Sequence, residues 1–351
     1  MSTMNNKYTF IDLFTGAGGL YRGFKDAGME HLLSVEIWKP AIDTLKSNYP
    51  DIELYEGDIR KLDAETLQKY LQGRECDVLV GGPPCQGFST IGKRLEKDPR
   101  NELVFEFIRI VNTVRPKFFI MENVKGLLSA NKGIMRELII QEFAKIGYKK
   151  TISSILCAAD YNVPQMRQRV FFFGVRDDID LSVELAFPEI NENRITVGEA
   201  IMDLMGKENE IPNHVPMKHN ETVTRRIKCI PEGGGIPKEG LPKEVAYGSR
   251  SDYANNKLKN FSHVYKRLDR SKQATTMVPG HNAFPLHPVA NRSLTVREAA
   301  RIQTFPDDVV FSGSRQEQCI QVGNAVPVKL AEALANNTIK YMEMMNDGNN
   351  S

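Results

Sequence analysis

An apolar strand that runs into a glycine turn and then a helix leaves a chain few choices of fold, and this sequence opens with one. Lys7-Tyr8-Thr9-Phe10-Ile11-Asp12-Leu13-Phe14 reads as a buried strand, and Thr15-Gly16-Ala17-Gly18-Gly19 turns it into a helix marked by Leu20, Phe24 and Ala27. A second strand, His31–Ile37, carries Glu36, about twenty residues beyond the first glycines, where an acid can accept ribose hydroxyl bonds. A third short strand, Ile52–Tyr55, leads to Gly57-Asp58-Ile59. Cys76–Val80 and Lys117–Met121 follow as strands, with a helix over Glu102–Val114 between them whose apolar positions recur at helical spacing. Strands alternating with helices predict an α/β fold built on a doubly wound, Rossmann-like sheet.

Acids at the ends of the first three strands suit an adenosine-type ligand better than a pyrophosphate, which would avoid so much negative charge. S-adenosylmethionine is therefore favoured over NAD. In this reading Asp12 stays near the turn, Phe14 lies against the adenine, Glu36 holds the ribose and Asp58 accepts from the adenine amino group. Each acid alone is equally well a solvated loop end, and the glycines alone could serve tight packing.

The fourth strand ends in Gly81-Gly82-Pro83-Pro84-Cys85-Gln86-Gly87-Phe88-Ser89. Gly-Gly-Pro-Pro can neither continue a ladder nor enter a helix interior, so Cys85 falls on a sharply bent loop. A free cysteine is most often an inert core residue. Proline, glycine, glutamine and serine rarely surround such a residue, so this one reads as a reactive nucleophile. Glu122 follows the fifth strand, and parallel strands would bring it near Cys85, where a carboxyl group is suited to general acid work. Arg167 and Arg169 precede the apolar strand Val170–Val175; strand alternation would put both on one face, either as an anion site or as partners of surface acids. Residues 89–100 are polar and basic and read as a loop able to close over a polyanion.

From about Ala186 the periodicity weakens and prolines and glycines punctuate the chain, the mark of a loop-rich insertion. Basic residues there, among them Arg225, Arg226, Arg250 and Arg267, alternate with Tyr247, Tyr253, Phe261 and Tyr265; that mixture suits a DNA groove, although such clusters are also common on solvated faces. The net charge of +2 requires any nucleic-acid surface to be local, since 46 basic and 44 acidic residues nearly cancel. Thr295 and Glu298 form a capping box for a helix in Arg292–Gln303, and a last helix, Val328 to about Met345, is expected to dock on the first domain. Five scattered cysteines with no paired spacing argue for a reducing cytoplasm and against a disulfide framework or zinc site, and the histidines show no metal-ligand spacing. No apolar run reaches the length of a signal or membrane segment.

Taken in order, the blocks Asp12–Leu20, Glu36, Gly57–Ile59, Gly81–Ser89, Glu122–Val124, Gln165–Arg169, Arg292–Pro306 and Gln321–Pro327 resemble the DNA (cytosine-5) methyltransferases, in particular the bacterial restriction-modification enzymes. The resemblance implies a catalytic, cofactor-binding domain over 1–185, completed by 318–351, and an inserted target-recognition domain over 186–317. It implies a methyl transfer from S-adenosylmethionine, leaving S-adenosylhomocysteine, to C5 of a cytosine flipped out of double-stranded DNA, with no metal. Cys85 would add to C6, Glu122 would bond the ring at N3, and Arg167 and Arg169 would position it. Phe14, Gly16, Gly18, Glu36, Asp58, Ile59, Pro84, Leu103 and Asn324 would line the cofactor site, and Ser89, Arg100, Arg225, Arg226, Arg250 and Arg267 are assigned to DNA. Ile37 departs from the pattern, being aromatic in many members, and Trp38 follows one place later. A monomer is expected, acting either as the modification enzyme of a restriction-modification system, with a restriction endonuclease of the same site as partner, or as an orphan methylase. The rival readings are the tRNA-methylating branch of the family, whose Cys-Phe-Thr signature is absent, an inactive binding protein of the same fold, and an NAD-dependent dehydrogenase, in which Pro-Pro-Cys-Gln has no role.

Overall fold

β1 (Thr9–Leu13) is buried along nearly its whole length and has a neighbour on each side, as expected of a largely apolar strand at the centre of a parallel sheet. The computed structural model describes residues 8–84, 102–129, 133–181, 183–237, 241–246, 265–278 and 284–348. Cys85, Ser89, Arg100 and Arg250, the basic loop 89–100 and the aromatics Tyr247, Tyr253 and Phe261 therefore lie outside the described residues.

Among the described residues, seven strands form one sheet in the order β3-β2-β1-β4-β5-β7-β6. β2 is Glu30–Glu36, β3 Leu54–Glu56, β4 Val78–Gly81, β5 Phe118–Val124, β6 Lys150–Cys157 and β7 Gln168–Val175. The first five are parallel, whereas β7 runs antiparallel between β5 and β6. Strand order reverses between β1 and β4, and in open α/β sheets ligands settle outside the carboxyl ends of strands at such a switch point. The connecting helices are α1 (Gly19–Asp26), α2 (Lys39–Asn48), α3 (Ala64–Leu71), α4 (Glu102–Val114), α5 (Gly126–Ser129) and α6 (Ile134–Lys145).

Local chemistry explains most boundaries. Asp63 caps α3 by accepting from the Thr66 amide at 2.8 Å. α4 presents Val104, Phe107, Ile108, Ile110 and Val111 to the core at helical spacing. On this side of the sheet Phe119 stacks on Phe143 of α6 with ring centroids 3.9 Å apart. Two strands differ from the sequence reading for a reason the local sequence does not carry. β5 continues past Met121 because β7 lies antiparallel to it and extends the ladder to Val124 opposite Arg169. β7 begins at Gln168, so Arg167 stands outside the strand and the alternation that would pair it with Arg169 does not apply.

The chain divides into two compact units: residues 1–157, 168–190 and 326–351, and residues 158–167 and 191–325. The sequence reading placed the joins at 185/186 and 317/318 and assigned 158–167 to the first part. Among its described residues, the second unit is poor in regular structure. Its helices are α7 (Val197–Ile201), α8 (Glu221–Lys228), α9 (Val296–Ile302) and α10 (Arg315–Asn324), and α9 starts at the expected Thr295–Glu298 capping box. No helix among the described residues is long and apolar enough to cross a membrane.

The last helix, α11 (Val328–Gly348), belongs to the first unit and packs on α1. The approach is close enough that α1 must carry glycine. A Cβ on Gly23 would stand 2.4 Å from the Ala331 Cβ and 2.7 Å from the Val328 carbonyl oxygen. Gly23→Ala should therefore destabilise the protein by about 1–3 kcal/mol through overpacking, despite the ~1 kcal/mol that alanine normally gains over glycine in a helix. Urea unfolding checks this, and a variant as stable as the parent would contradict the tight contact.

Candidate functional site

The carboxyl edge of the first unit is organised by backbone that folds back on itself. Phe14, Gly16 and Gly18 all have left-handed φ, at +59°, +56° and +85°. For Gly16 and Gly18 this conformation is inexpensive; for the aromatic Phe14 it is strained, and such strain concentrates at ligand sites. The Thr15 amide reaches the Val35 carbonyl at 3.1 Å and the Thr15 hydroxyl bonds the Asp12 carbonyl at 2.9 Å, so the turn is closed onto β1 and β2.

Glu36, at the end of β2, fixes the same turn from the side. Its Oε2 accepts from the Gly16 amide at 2.7 Å, and its Oε1 accepts from the amides of Ile37 and Trp38 at 2.8 and 2.7 Å. A carboxylate held by three amides is oriented before any ligand arrives, and each oxygen keeps accepting capacity. Beside it the space is open: a Cβ built on Gly16 would meet nothing within 4 Å. Glu36 and the turn thus fit a ligand that donates hydroxyl hydrogen bonds, as the ribose of S-adenosylmethionine does.

Asp58 follows β3 and caps a single 3₁₀ turn, Ile59–Lys61, through the Arg60 amide at 3.0 Å. The Arg60 guanidinium also grips both of its oxygens, at 2.6–2.9 Å, and holds its carboxyl below the ordinary aspartate value. Arg60 reaches Glu102 as well, at 3.3 Å. Asp58 is therefore shared with a cation that the sequence reading did not consider. Ile59 is buried in the core, Leu103 is half-buried beside it, and Pro84 is exposed.

Asp12 is different from the other two acids. It lies within β1, fully buried, with Oδ2 accepting from the Tyr21 amide of α1 at 3.1 Å and Oδ1 without a hydrogen-bond partner. Burial pushes its carboxyl well above the ordinary aspartate range. It faces α1 from inside the fold, so two acids, Glu36 and Asp58, stand at the edge instead of three.

Around the fourth strand, the Asn123 side-chain amide donates to the Pro83 carbonyl at 3.0 Å and thereby anchors the Gly-Gly-Pro-Pro bend to β5. The sequence reading passed over Asn123, whose only signal was its place between Glu122 and Val124. Glu122 lies against the same bend: a Cβ on Gly82 would be 3.1 Å from its Oε2. Arg169 pairs with Glu122 at 3.1 Å across the β5–β7 ladder, where Glu122 stands opposite Phe171 and Arg169 is its diagonal neighbour on the same face. Both side chains are largely buried, so the pair is little screened. Burial pushes the thiols of two other cysteines up, Cys76 beyond the thiol range and Cys319 to about 11, as expected of inert core residues.

In the second unit three buried arginines donate to backbone carbonyls. Arg167, 2% exposed, donates to the carbonyls of Met277, Gly323 and Asn324 at 3.0–3.3 Å. Arg226 donates to the Val245 carbonyl at 2.6 Å and the Tyr265 hydroxyl at 3.1 Å. Arg267 donates to the carbonyls of Ile227, Ile230, His287 and Ala290 at 2.7–2.9 Å and to the Asn291 side chain. Arg226 and Arg267 are 5% and 4% exposed, so the assignment of both to a DNA-facing surface is corrected: their donors are turned inward to backbone carbonyls and the Tyr265 hydroxyl. Arg225, at the end of α8, is exposed with Lys228. Asn324 ends α10 with an exposed side chain.

Residues 8–340 match the sequence profile of a family described as C-5 cytosine-specific DNA methylase. The type II methyltransferase M1.HphI of Haemophilus parahaemolyticus is 39% identical over 342 residues, spanning 95% of this chain and 87% of the relative. M.DdeI of Desulfomicrobium norvegicum, another type II methyltransferase, is 36% identical over 383 residues, spanning 97% and 91%. A solved structure of a candidate DNA modification methyltransferase encoded within an E. coli prophage superposes with a TM-score of 0.75 at 25% identity, covering 96% of this chain and all of the other.

Asp12 gives a pH dependence with a definite sign. A carboxyl whose folded value is raised binds more protons in the folded state, so its contribution is full below the unfolded value of about 3.9 and is lost as pH rises toward the folded value. Compared with Asp12→Asn, which keeps an acceptor for Tyr21 without a charge, the parent should lose relative stability as pH increases from about 4. Denaturant unfolding of both proteins across that range checks it; a pH-independent difference would rule out the raised carboxyl.

Proposed function

Because this chain belongs to the C-5 cytosine-specific DNA methylases, we propose that it transfers a methyl group to C5 of a cytosine within a short site in double-stranded DNA, as the modification enzyme of a restriction-modification pair. The type II relatives support the pairing with an endonuclease of the same site. The observation that carries the chemistry is the Glu122–Arg169 pair lying against Gly82, three residues before Cys85.

The first unit then acts as the catalytic and cofactor-binding part and the second as the target-recognition part. The cytosine leaves the duplex, since its C6 is out of reach while stacked. Cys85 as thiolate forms a bond to C6 and displaces electron density toward N3, where Glu122 supplies the compensating proton or hydrogen bond. Arg169 holds the Glu122 carboxyl in place for that contact. When bound, S-adenosylmethionine would supply an electrophilic methyl for C5 and depart as S-adenosylhomocysteine; loss of the C5 proton to solvent, with the N3 proton returned to Glu122, then expels the Cys85 thiolate and restores the aromatic ring. Glu36, Phe14, Gly16 and Gly18 orient the ribose and adenine end of the cofactor, with Asp58, Ile59, Leu103 and Pro84 completing the contacts in the first unit; Asn324 is assigned by family position. Arg167 takes a positioning role, holding Gly323 and Asn324 by their carbonyls. Exposed Arg225 and Lys228 contribute phosphate contacts, which fix register without reading sequence. The enzyme works as a monomer in the reducing cytoplasm, where its thiol stays free.

Expression in a host without cytosine methylation, followed by mapping of 5-methylcytosine, tests the reading. One short methylated motif is expected, absent with Cys85→Ala, while the variant still binds cofactor. No methylation from folded parent protein would move the substrate to RNA or remove the activity. Glu122→Gln should lower the rate at least about 100-fold in single-turnover assays, and a near-parental rate would exclude its acid role. Arg225→Ala should weaken DNA binding with unchanged thermal stability, whereas Arg267→Ala, which takes the donor from the Ile230 and His287 carbonyls and unties α8 from the segment around His287, should cost about 3 kcal/mol of stability; the reverse pattern would return Arg267 to the DNA surface.

A further inference from the structure

α4 and the turn after β3 are joined by a contact that neither the family blocks nor the sequence reading singled out. From the middle of α4, Arg109 reaches the turn Ile59–Lys61 and donates from Nη2 to the Ile59 carbonyl at 2.7 Å and from Nη1 to the Leu62 carbonyl at 2.9 Å. Its Nε is fixed in turn by Glu106, one helical turn earlier, at 2.7 Å. The guanidinium is thus oriented from its own helix before it grips the other element, a fork geometry that a lysine cannot reproduce. Arg60–Glu102 is a second tie between the same two elements, but Arg60 is half exposed and the pair is long, so solvent and salt screen it.

The turn does not need Arg109 in order to form. It is closed by its own bonds, Lys61 amide to Asp58 carbonyl at 2.9 Å and Leu62 amide to Ile59 carbonyl at 3.1 Å, and by the Asp58 cap. The side chains of Ile59 and Leu62 are buried in the core with Phe107 of α4. What the two extra bonds add is registration: they fix where Asp58 and Ile59 stand relative to α4, which also carries Leu103.

We propose that Arg109 is a positioning residue for the cofactor, setting the Asp58–Ile59 turn so that Asp58 meets the adenine amino group. This rests on the reading of Asp58 as the acceptor for that group. Arg109 touches no reacting atom; it acts through the turn.

The test uses the full-length protein and two ligands, S-adenosylhomocysteine and its deaminated counterpart S-inosylhomocysteine, which lacks the amino group. Calorimetry on the parent, Arg109→Leu, Arg109→Lys and Asp58→Ala gives the preference of each for the amino form. The parent should prefer S-adenosylhomocysteine by about tenfold, the scale of one charge-assisted hydrogen bond, and Arg109→Leu should bring the ratio to within about threefold. Arg109→Lys, able to serve one carbonyl, should fall between. In turnover, Arg109→Leu should raise KM for S-adenosylmethionine while KM for DNA and kcat stay within about twofold. A purely structural role would weaken both ligands equally and leave the ratio at the parental value, which would overturn the proposal; Arg109→Lys supplies the same reading if the leucine variant does not fold. If Asp58→Ala leaves the ratio unchanged, the Asp58 reading fails and the proposal with it. If Asp58→Ala collapses the ratio and both Arg109 variants preserve it, the role of Arg109 alone is refuted.

Discussion

One carboxylate holds the carboxyl edge of the first unit together. Glu36 takes the Gly16, Ile37 and Trp38 amides at once, so the turn after β1 and the start of α2 are fixed to each other by the end of β2. Those amides precede or open helices and have no partner in a ladder, and a single acid satisfies all three. The left-handed Phe14 is tolerable only because the backbone on both sides of it is pinned, by the Val35 carbonyl to Thr15 and by β1 itself. A ligand meeting this edge finds acceptors already aimed, which lowers the ordering cost of binding.

The second unit meets the same physical demand by other means. Its loops leave carbonyls without ladder partners, and buried polar groups must be paired. Guanidinium groups, each with five donors in a planar fork, supply the pairing. Arg267 alone draws together the end of α8 and the segment around His287 and Ala290. Burial lowers the Arg267 affinity for its proton, and several carbonyl dipoles replace its lost hydration. Arg297, fully buried, does the same for the carbonyls of Pro212, Pro306 and Val309.

This division explains what could be read without coordinates. The strand–helix order, the extent of α4 and the Thr295–Glu298 box were legible because each depends on spacing within a short window. The place of Glu36 at the end of β2 was legible from the strand pattern. The ends of β5 and β7 were not, because a partner strand far along the chain decides them. Arg226 and Arg267 were misread for a related reason. A basic residue between aromatics looks the same whether its fork faces water or a set of carbonyls, and only the fold brings Val245, Ile227 and His287 to it. Asp12 likewise reads as a strand-end acid until α1 is seen to cover it.

The bend that leads toward Cys85 shows how the two kinds of signal combine. Its composition, two glycines and two prolines, ends β4 and restricts the chain's freedom locally. Composition cannot aim it. Asn123 does that by holding the Pro83 carbonyl from β5, while the Met121–Gly81 pairing fixes the strand just before. β7 then brings Arg169 to Glu122 on the face that touches Gly82. Three strands are therefore needed to place one acid beside the bend. The reversed direction of β7 matters because it sets Arg169 opposite Val124, on the carboxyl side of Glu122, where a parallel strand with the same Glu122–Phe171 pair would set it opposite Ile120.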